Sequence, residues 1–125
     1  MVKSKYQEVL ELGEALNVQD GDVTEDNGIL KIKGTAKTQY EKNLIWDKIK
    51  TIGGENPKDI MADIRVADTS VYHRHVVKSG ETLGKIALHY YGDAMKYKSI
   101  FKVNSDILKN PDLIHPGQEL IIPKL

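Results

Sequence analysis

The fold of this chain is decided by two stretches near its C-terminus, HVVKSGETLGKIA at residues 75–87 and IHPGQELIIP at residues 114–123. Each stretch combines a short apolar run with a glycine-containing turn, which is typical of a β-strand beside a reversal of the chain. Between the two stretches, apolar residues recur at helical spacing. The pattern predicts a β-α-α-β unit whose two end strands pair while its helices pack on one face.

Local signals set the bounds of these elements. The first strand is predicted over residues 73–77, and a helix is predicted to begin at about Thr82 and to end at the Tyr91-Gly92-Asp93 segment. A second helix is predicted over residues 95–104, where bulky apolar residues face the first helix. Together the two helices are expected to supply most of the core of this unit.

This order of residues resembles the LysM domain, a glycan-binding β-α-α-β unit. The resemblance implies a shallow groove between the loop after the first strand and the loop before the last strand. In that groove, main-chain amides and carbonyls meet N-acetyl groups beside apolar side chains. An acetamide group suits such a site because it has one hydrogen-bond donor, one acceptor and a methyl group.

Carried onto this sequence, the resemblance implies a glycan-binding set drawn from both loops, and no charged side chain is required. The implied ligand is peptidoglycan or a chitin-like oligosaccharide containing N-acetylglucosamine. For the apolar members of the set, packing in the core is the alternative interpretation. The implied glycan-binding residues are Gly80, Glu81, Thr82, Leu83, Ile107, Leu108, Ile114, His115 and Pro116.

Many sugar sites offer an aromatic platform, but this unit contains no tryptophan. The single tryptophan, Trp46, lies in the other half of the chain, where its position on a helix predicts a partly buried core residue or an interdomain residue. We therefore expect modest affinity for a single module, because one copy provides no avidity.

The N-terminal half predicts the order helix, strand, strand, helix, strand. Apolar residues recur at helical spacing over residues 3–16, and the Asp26-Asn27-Gly28 turn precedes a strand at 29–34. Thr38 and Glu41, three residues apart, form a capping box for a helix that stops at Gly53-Gly54. Alternating apolar and polar residues then predict a last strand at 60–66.

This αββαβ order resembles the BON domain, and residues 28–36 with the following helix and strand carry the resemblance. The chain is therefore predicted to be α+β, with a BON-like domain at 1–67, a short linker at 68–72 and a LysM domain at 73–125.

Composition limits the function classes. Lys and Arg number 18, as do Asp and Glu, and this zero net charge argues against a nucleic-acid partner. A cut after Asp68 leaves 10 basic and 13 acidic residues before it, and 8 and 5 after it, so the two halves carry opposite charge. That difference either favours docking of the halves or is a chance scatter of solvated charges. The absence of cysteine excludes disulfides and thiolate chemistry.

Targeting signals are equally informative. The first eight residues lack the apolar region of a secretory signal, and no apolar stretch reaches membrane-spanning length, which predicts a cytoplasmic protein without a membrane span. A signal upstream of this stretch would instead place the protein in the cell envelope.

No catalytic motif occurs, so the protein is predicted to be non-enzymatic. His73 and His75 share a strand face and could chelate a metal with Asp68 or His115, but no motif fixes a third ligand. Four acidic residues crowd the predicted hairpin without the spacing of an EF-hand and predict a solvated turn. No resident cofactor is expected.

The pairing of a BON-like unit with LysM resembles small bacterial BON-LysM proteins that bind potassium. That resemblance implies an alternative function, in which a potassium ion is coordinated by main-chain carbonyls at an irregular turn. The best local candidate is the turn at residues 53–57, where a helix ends and leaves carbonyls without partners. A third interpretation is an adaptor that contacts protein or lipid through the BON-like half.

Overall fold

The computed structural model describes residues 2–125, and the chain divides into two compact units, one ending at Thr69 and the other comprising Ser70–Leu125. Met1, the first residue of the predicted domain 1–67, lies outside the described residues. The division falls within the segment predicted as a linker. Across residues 2–125, no helix is both long and apolar enough to span a membrane.

The N-terminal unit has the predicted αββαβ order, except that its first helix is divided. Its elements are α1 (Val2–Lys5), α2 (Gln7–Ala15), β1 (Gln19–Asp26), β2 (Ile29–Thr38), α3 (Gln39–Gly53) and β3 (Ile60–Asp68).

The predicted first helix is interrupted at Tyr6, whose side chain packs in the core. Its backbone departs from helical geometry at φ −102° and ψ 21°, and its ring is 0% exposed. The hydroxyl donates a hydrogen bond to Asp59, just before β3, and Asp59 also accepts from the Lys5 ammonium at 2.6 Å. Burial and the contact with Asp59 raise the pKa of Tyr6 to about 12, so the phenol stays protonated.

The sheet has β2 in the middle, antiparallel to β1 and parallel to β3. The predicted hairpin is confirmed: Asn27 and Gly28 have φ of 52° and 76°, and a two-residue turn with two positive φ values matches the twist of the flanking strands. The parallel pair requires a crossover, which α3 provides. The Thr38 hydroxyl accepts from the Glu41 N–H at the start of that helix, as the capping box predicts.

The core of this unit lies between the sheet and the helices. Alternate residues of β2 point inward, and Ile45 and Ile49 of α3 cover them. Trp46 packs at the edge of this core, as predicted. The buried core residues are Tyr6, Val9, Leu30, Ile32, Ala36, Ile45, Ile49, Ile60 and Ile64.

The C-terminal unit has the predicted β-α-α-β order. Its strands pair antiparallel, with His73 opposite Ile122 and Val76 opposite Glu119. The second predicted helix begins as a single 3₁₀ turn, Ala94–Lys96, because the Asp93 carboxylate accepts from the Met95 N–H. The elements are β4 (His73–Val76), α4 (Leu83–Tyr91), α5 (Tyr97–Val103) and β5 (Glu119–Ile122).

A buried asparagine joins the helices of this unit to its short sheet. Asn104 is 1% exposed at the end of α5. Its amide donates to the Ile100 carbonyl at 2.7 Å and the Ile121 carbonyl at 2.9 Å, and its oxygen accepts from the Ile121 N–H at 2.9 Å. Asn104 therefore pairs with β5 in the way that a third strand would.

Candidate functional site

The two predicted glycan-binding loops leave the β4–β5 ladder at neighbouring positions. We call residues 78–82 the first loop and residues 107–117 the second loop. Val77 donates its N–H to the Gln118 carbonyl at 2.9 Å and accepts from the Gly117 N–H at 2.8 Å. This extension of the ladder places the start of the first loop beside the end of the second.

The first loop is shaped by a glycine and a helix cap. Gly80 has φ of 85°, a conformation that side chains disfavour, and it is exposed. Its carbonyl accepts from the Lys85 ammonium at 3.3 Å. The Thr82 hydroxyl accepts from the Lys85 N–H at 3.1 Å and so begins α4. Leu83 follows, 2% exposed, with its side chain in the core.

The second loop alternates between exposed and buried residues. Ile107 is 50% exposed, whereas Leu108 is 1% exposed and belongs to the core. Ile114 is half-buried against that core, and His115 and Pro116 are exposed. The core interpretation therefore describes the side chains of Leu83 and Leu108, which support the loops from beneath instead of lining their surface.

The other seven members of the predicted glycan-binding set are exposed or half-buried, and we call them the two-loop surface. The set includes main-chain groups of irregular backbone and the exposed apolar side chain of Ile107, which are the two kinds of group that suit an acetamide. Its members are Gly80, Glu81, Thr82, Ile107, Ile114, His115 and Pro116.

His75 has partners at both of its ring nitrogens, which differs from the metal-ligand role considered for it. Nδ1 lies 2.7 Å from the Tyr90 hydroxyl, and Nε2 lies 2.8 Å from Glu81 Oε1. That same oxygen accepts from the Lys78 N–H at 2.6 Å. Within residues 2–125, no group of three or more His, Asp or Glu side chains is arranged to hold a metal ion.

Two opposing effects set the charge of Glu81. Burial alone would raise the pKa of its carboxyl, but the hydrogen bonds from His75 and from the Lys78 main chain outweigh burial and hold that pKa below its usual value. The side chain is 27% exposed, so the carboxylate remains within reach of solvent.

A cluster of aromatic rings that the sequence did not predict lies beside this carboxylate. The Tyr90 ring lies 5.4 Å from the His75 ring, 5.6 Å from His73, 4.9 Å from His89 and 6.4 Å from Tyr72, measured between centroids. The alternation of His73 and His75 was a signal for their shared face. Nothing in the sequence indicated that a tyrosine of α4 would lie at the centre of the cluster.

The turn at residues 53–57, the candidate potassium site, has a tightly fitted backbone. A methyl group on Gly53 would lie 2.2 Å from the Tyr6 hydroxyl and 2.8 Å from Cβ of Pro57. Gly54 has φ of 86°, and its N–H donates to the Lys50 carbonyl at 2.9 Å. The later carbonyls of α3 lie at the negative end of the helix dipole, which suits a cation.

An apolar groove of about 440 Å³ lies in the N-terminal unit between α2 and β1. Leu10 and Gly13 of α2 face Gly21 and Val23 of β1 across it, and core side chains form its floor. Gly13 is not required by its surroundings, because a methyl group there would meet nothing within 4 Å.

Comparison with known proteins identifies a LysM domain at residues 75–123. The chain is 34% identical over 109 residues to the potassium binding protein Kbp of Escherichia coli, covering 87% of this chain and 69% of that protein. It is 37% identical over 116 residues to an uncharacterized protein of Deinococcus radiodurans, covering 82% of this chain and 44% of that protein.

A shorter match, 43% identical over 49 residues, covers 39% of the chain and 10% of an esterase of Mycobacterium tuberculosis. So small a share of the esterase gives no catalytic role to this chain. The chain thus spans less than half of the Deinococcus protein and about two thirds of the Escherichia protein. The LysM match lies in the C-terminal unit, and the likeness of the N-terminal unit to a BON domain stays a prediction.

Proposed function

Because the chain belongs to the family of the potassium binding protein Kbp and contains a LysM domain, we propose that it is a non-enzymatic binding protein whose C-terminal unit binds N-acetylglucosamine-containing glycan such as peptidoglycan. The observation that carries the proposal is the LysM match, which covers the unit in which Val77 joins the two predicted loops.

The two-loop surface supports this proposal chemically. The glycine at positive φ in the first loop leaves main-chain groups uncovered by a side chain, so an acetamide can approach them. Ile107 offers an exposed apolar side chain for the acetamide methyl group. The buried side chains beneath both loops hold the surface in one shape, which reduces the entropy lost on binding.

Titration with a chitooligosaccharide, followed by amide NMR, tests the proposal. We expect shifts in residues 78–82 and 107–117 and none in α3, and we expect no shifts with a cellooligosaccharide, which lacks acetamide groups. Replacement of Ile107 by Thr should weaken binding, whereas Val103→Thr, a matched change at an exposed position of α5, should leave it unchanged. If the amide resonances of both loops do not shift at saturating chitooligosaccharide, the proposed glycan binding is wrong.

A second candidate function is potassium binding by the N-terminal unit, favoured by the likeness to the Escherichia coli protein over most of both chains. Main-chain carbonyls at the turn 53–57 would hold the ion. The turn fits this role because Gly53 brings the backbone close to Tyr6 and Pro57, where no side chain could intervene, and because helix C-termini attract cations.

Thermal unfolding in potassium and in sodium at equal ionic strength tests the second candidate. A ligand that binds the native state raises the unfolding midpoint beyond the general effect of salt. We expect a higher midpoint in potassium, and we expect Gly54→Ala to abolish the difference between the two ions. Gly92→Ala, the same change at another glycine of positive φ, serves as control. Equal midpoints in the two salts would discard potassium binding.

A further inference from the structure

We propose that His75 is a positioning residue for glycan recognition, which holds the first loop in place through Glu81 Oε1 and leaves Glu81 Oε2 to accept a hydrogen bond from the ligand. This inference rests on the glycan function proposed above. The group recognised by Oε2 would be an acetamide N–H or a sugar hydroxyl.

The geometry is a chain of three hydrogen bonds that starts in α4 and ends in the first loop. The Tyr90 hydroxyl meets His75 Nδ1, His75 Nε2 meets Glu81 Oε1, and Glu81 Oε1 accepts from the Lys78 N–H. His75 is only 13% exposed at its side chain, so surrounding atoms fix its ring. The first loop is therefore tied to β4 and α4 by side chains in addition to the ladder at Val77.

The two oxygens of the Glu81 carboxylate differ in their hydrogen bonds, which supports a role for this carboxylate in recognition. Oε1 takes both donors, and across residues 2–125 Oε2 has no hydrogen-bond partner. The carboxylate is partly exposed on the two-loop surface, where a ligand can reach it. A carboxylate oxygen is a strong acceptor for N–H and O–H donors, and one that is held in place contributes more to affinity.

The chain of hydrogen bonds persists in both protonation states of His75. Neutral imidazole donates from Nε2 and accepts at Nδ1, and imidazolium donates from both while the Tyr90 hydroxyl turns to accept. The titratable groups that surround His75 are Glu81 and Lys78 in the first loop, Tyr90 and His89 on α4, and His73 on β4. The link between β4 and the first loop therefore does not depend on the charge of the His75 ring.

Three variants and two measurements test the proposal. The variants are His75→Leu, which removes both hydrogen bonds, His75→Gln, which can still donate to Glu81, and the control His89→Gln on the same tyrosine ring. The measurements are the dissociation constant for chitooligosaccharide and the pH titration of the Lys78 amide resonance. That resonance reports on the Glu81 carboxylate because the two groups are in direct contact.

We expect His75→Leu to weaken binding about tenfold, the cost of a lost hydrogen bond to a charged group. His75→Gln should restore most of the affinity, and His89→Gln should bind as the wild type does. In His75→Leu the midpoint of the Lys78 amide titration should move to higher pH, because a hydrogen bond that favours the carboxylate is gone. Packing of the His75 ring alone would not cause this movement, so the titration shows whether the hydrogen bond to Glu81 exists, and the dissociation constant shows whether that bond matters for recognition.

Wild-type affinity in His75→Leu, or an unmoved Lys78 titration, would overturn the proposal. If His75→Leu does not fold, Glu81→Gln replaces it, since that change keeps the shape of the side chain and should weaken binding about fivefold. If the wild type itself binds no chitooligosaccharide, the glycan function fails and the recognition role fails with it. The Lys78 titration in the free protein would still show whether His75 orders the loop.

Discussion

The N-terminal unit anchors its helices to a three-stranded sheet with a central strand of ten residues, whereas the C-terminal unit has only two strands of four residues each. In the larger sheet, main-chain ladders on both sides of β2 satisfy the central strand. In the smaller sheet, the side chain of Asn104 takes the place of a third strand beside Ile121. A small unit can therefore replace the missing main-chain hydrogen bonds of a third strand with those of a buried side-chain amide.

The units also differ in what holds their irregular segments in place. In the N-terminal unit the turn at residues 53–57 is held by close packing, because the backbone at Gly53 contacts the Tyr6 hydroxyl and leaves no room for a larger side chain. In the C-terminal unit, polar side chains do so, through the contact of His75 with Glu81. Variants at these positions should therefore damage the two units by different mechanisms, and Trp46, the single tryptophan, gives a fluorescence signal specific to the N-terminal unit.

The largest effect is expected from Asn104→Ala, which leaves both main-chain groups of Ile121 without their partner. It also removes the side-chain hydrogen bond to the Ile100 carbonyl, which keeps its bond from the main-chain N–H of residue 104. Unpaired buried polar groups should cost the C-terminal unit about 3 kcal/mol. Denaturant unfolding followed by amide NMR of α5 and β5 measures the loss. Asn110→Ala, at an exposed asparagine that accepts from the Asp112 N–H, is the control and should cost about 0.5 kcal/mol. Equal effects of the two changes would refute the role assigned to Asn104.

A somewhat smaller effect is expected from Gly53→Ala in the N-terminal unit. The added methyl group would meet the Tyr6 hydroxyl and Pro57, and the shift needed to relieve the overlap should cost about 2 kcal/mol. Trp46 fluorescence during denaturant unfolding measures the loss, while the amide signals of the C-terminal unit should keep their wild-type midpoint. An unchanged tryptophan midpoint would show that the turn has space which the structure lacks.

Acid should lower the stability of both units by less than the two substitutions above, because each unit contains a carboxyl group whose pKa is lowered by folding. The hydrogen bonds of Lys5 and Tyr6 hold the pKa of Asp59 below its usual value, and that of Glu81 is likewise lowered. A lowered folded-state pKa contributes stability that is present above the unfolded-state value and lost as the pH falls through the folded-state value. Unfolding midpoints measured from about pH 6 down to about pH 3 should therefore decline below about pH 4 in both units.

The matched variants separate the two carboxylates. Asp59→Asn should reduce the fall of the unfolding midpoint with acid that Trp46 fluorescence reports. Glu81→Gln should reduce the corresponding fall that the amide signals of the C-terminal unit report. A decline that survives in its own variant would mean that another carboxylate is responsible.

The smallest effect, and one of opposite sign, is expected from Gly13→Ala. A methyl group there meets nothing within 4 Å, and alanine is the better helix former by about 0.5–1 kcal/mol. Trp46 fluorescence should show a higher unfolding midpoint than the wild type. The same substitution at Gly53 is expected to destabilise the N-terminal unit, so the two variants separate the effect of close packing from that of helix propensity. A lower unfolding midpoint for Gly13→Ala would contradict the open space beside α2.

Much of the fold was predictable because its signals are local. The Asn27-Gly28 turn, the Thr38 cap and the alternation in β3 each depend on residues a few positions apart, and each is confirmed. The break of the first helix at Tyr6 was not predictable, because its cause is a hydrogen bond to Asp59, 53 residues away. Core positions such as Leu83 and Leu108 could not be told from ligand-contacting ones by apolar character alone.

Local sequence signals specify most of the helices and strands, the turns between them and the LysM character of the C-terminal segment. These features follow from side-chain periodicity and from the backbone preferences of glycine, asparagine and threonine, which act over one or two turns of chain. Which polar groups meet depends instead on how the elements pack, since packing brings Asn104 to Ile121 and His75 to Glu81 and Tyr90. A hydrogen bond forms only within about 3 Å and with defined angles, and packing alone brings distant residues within that range.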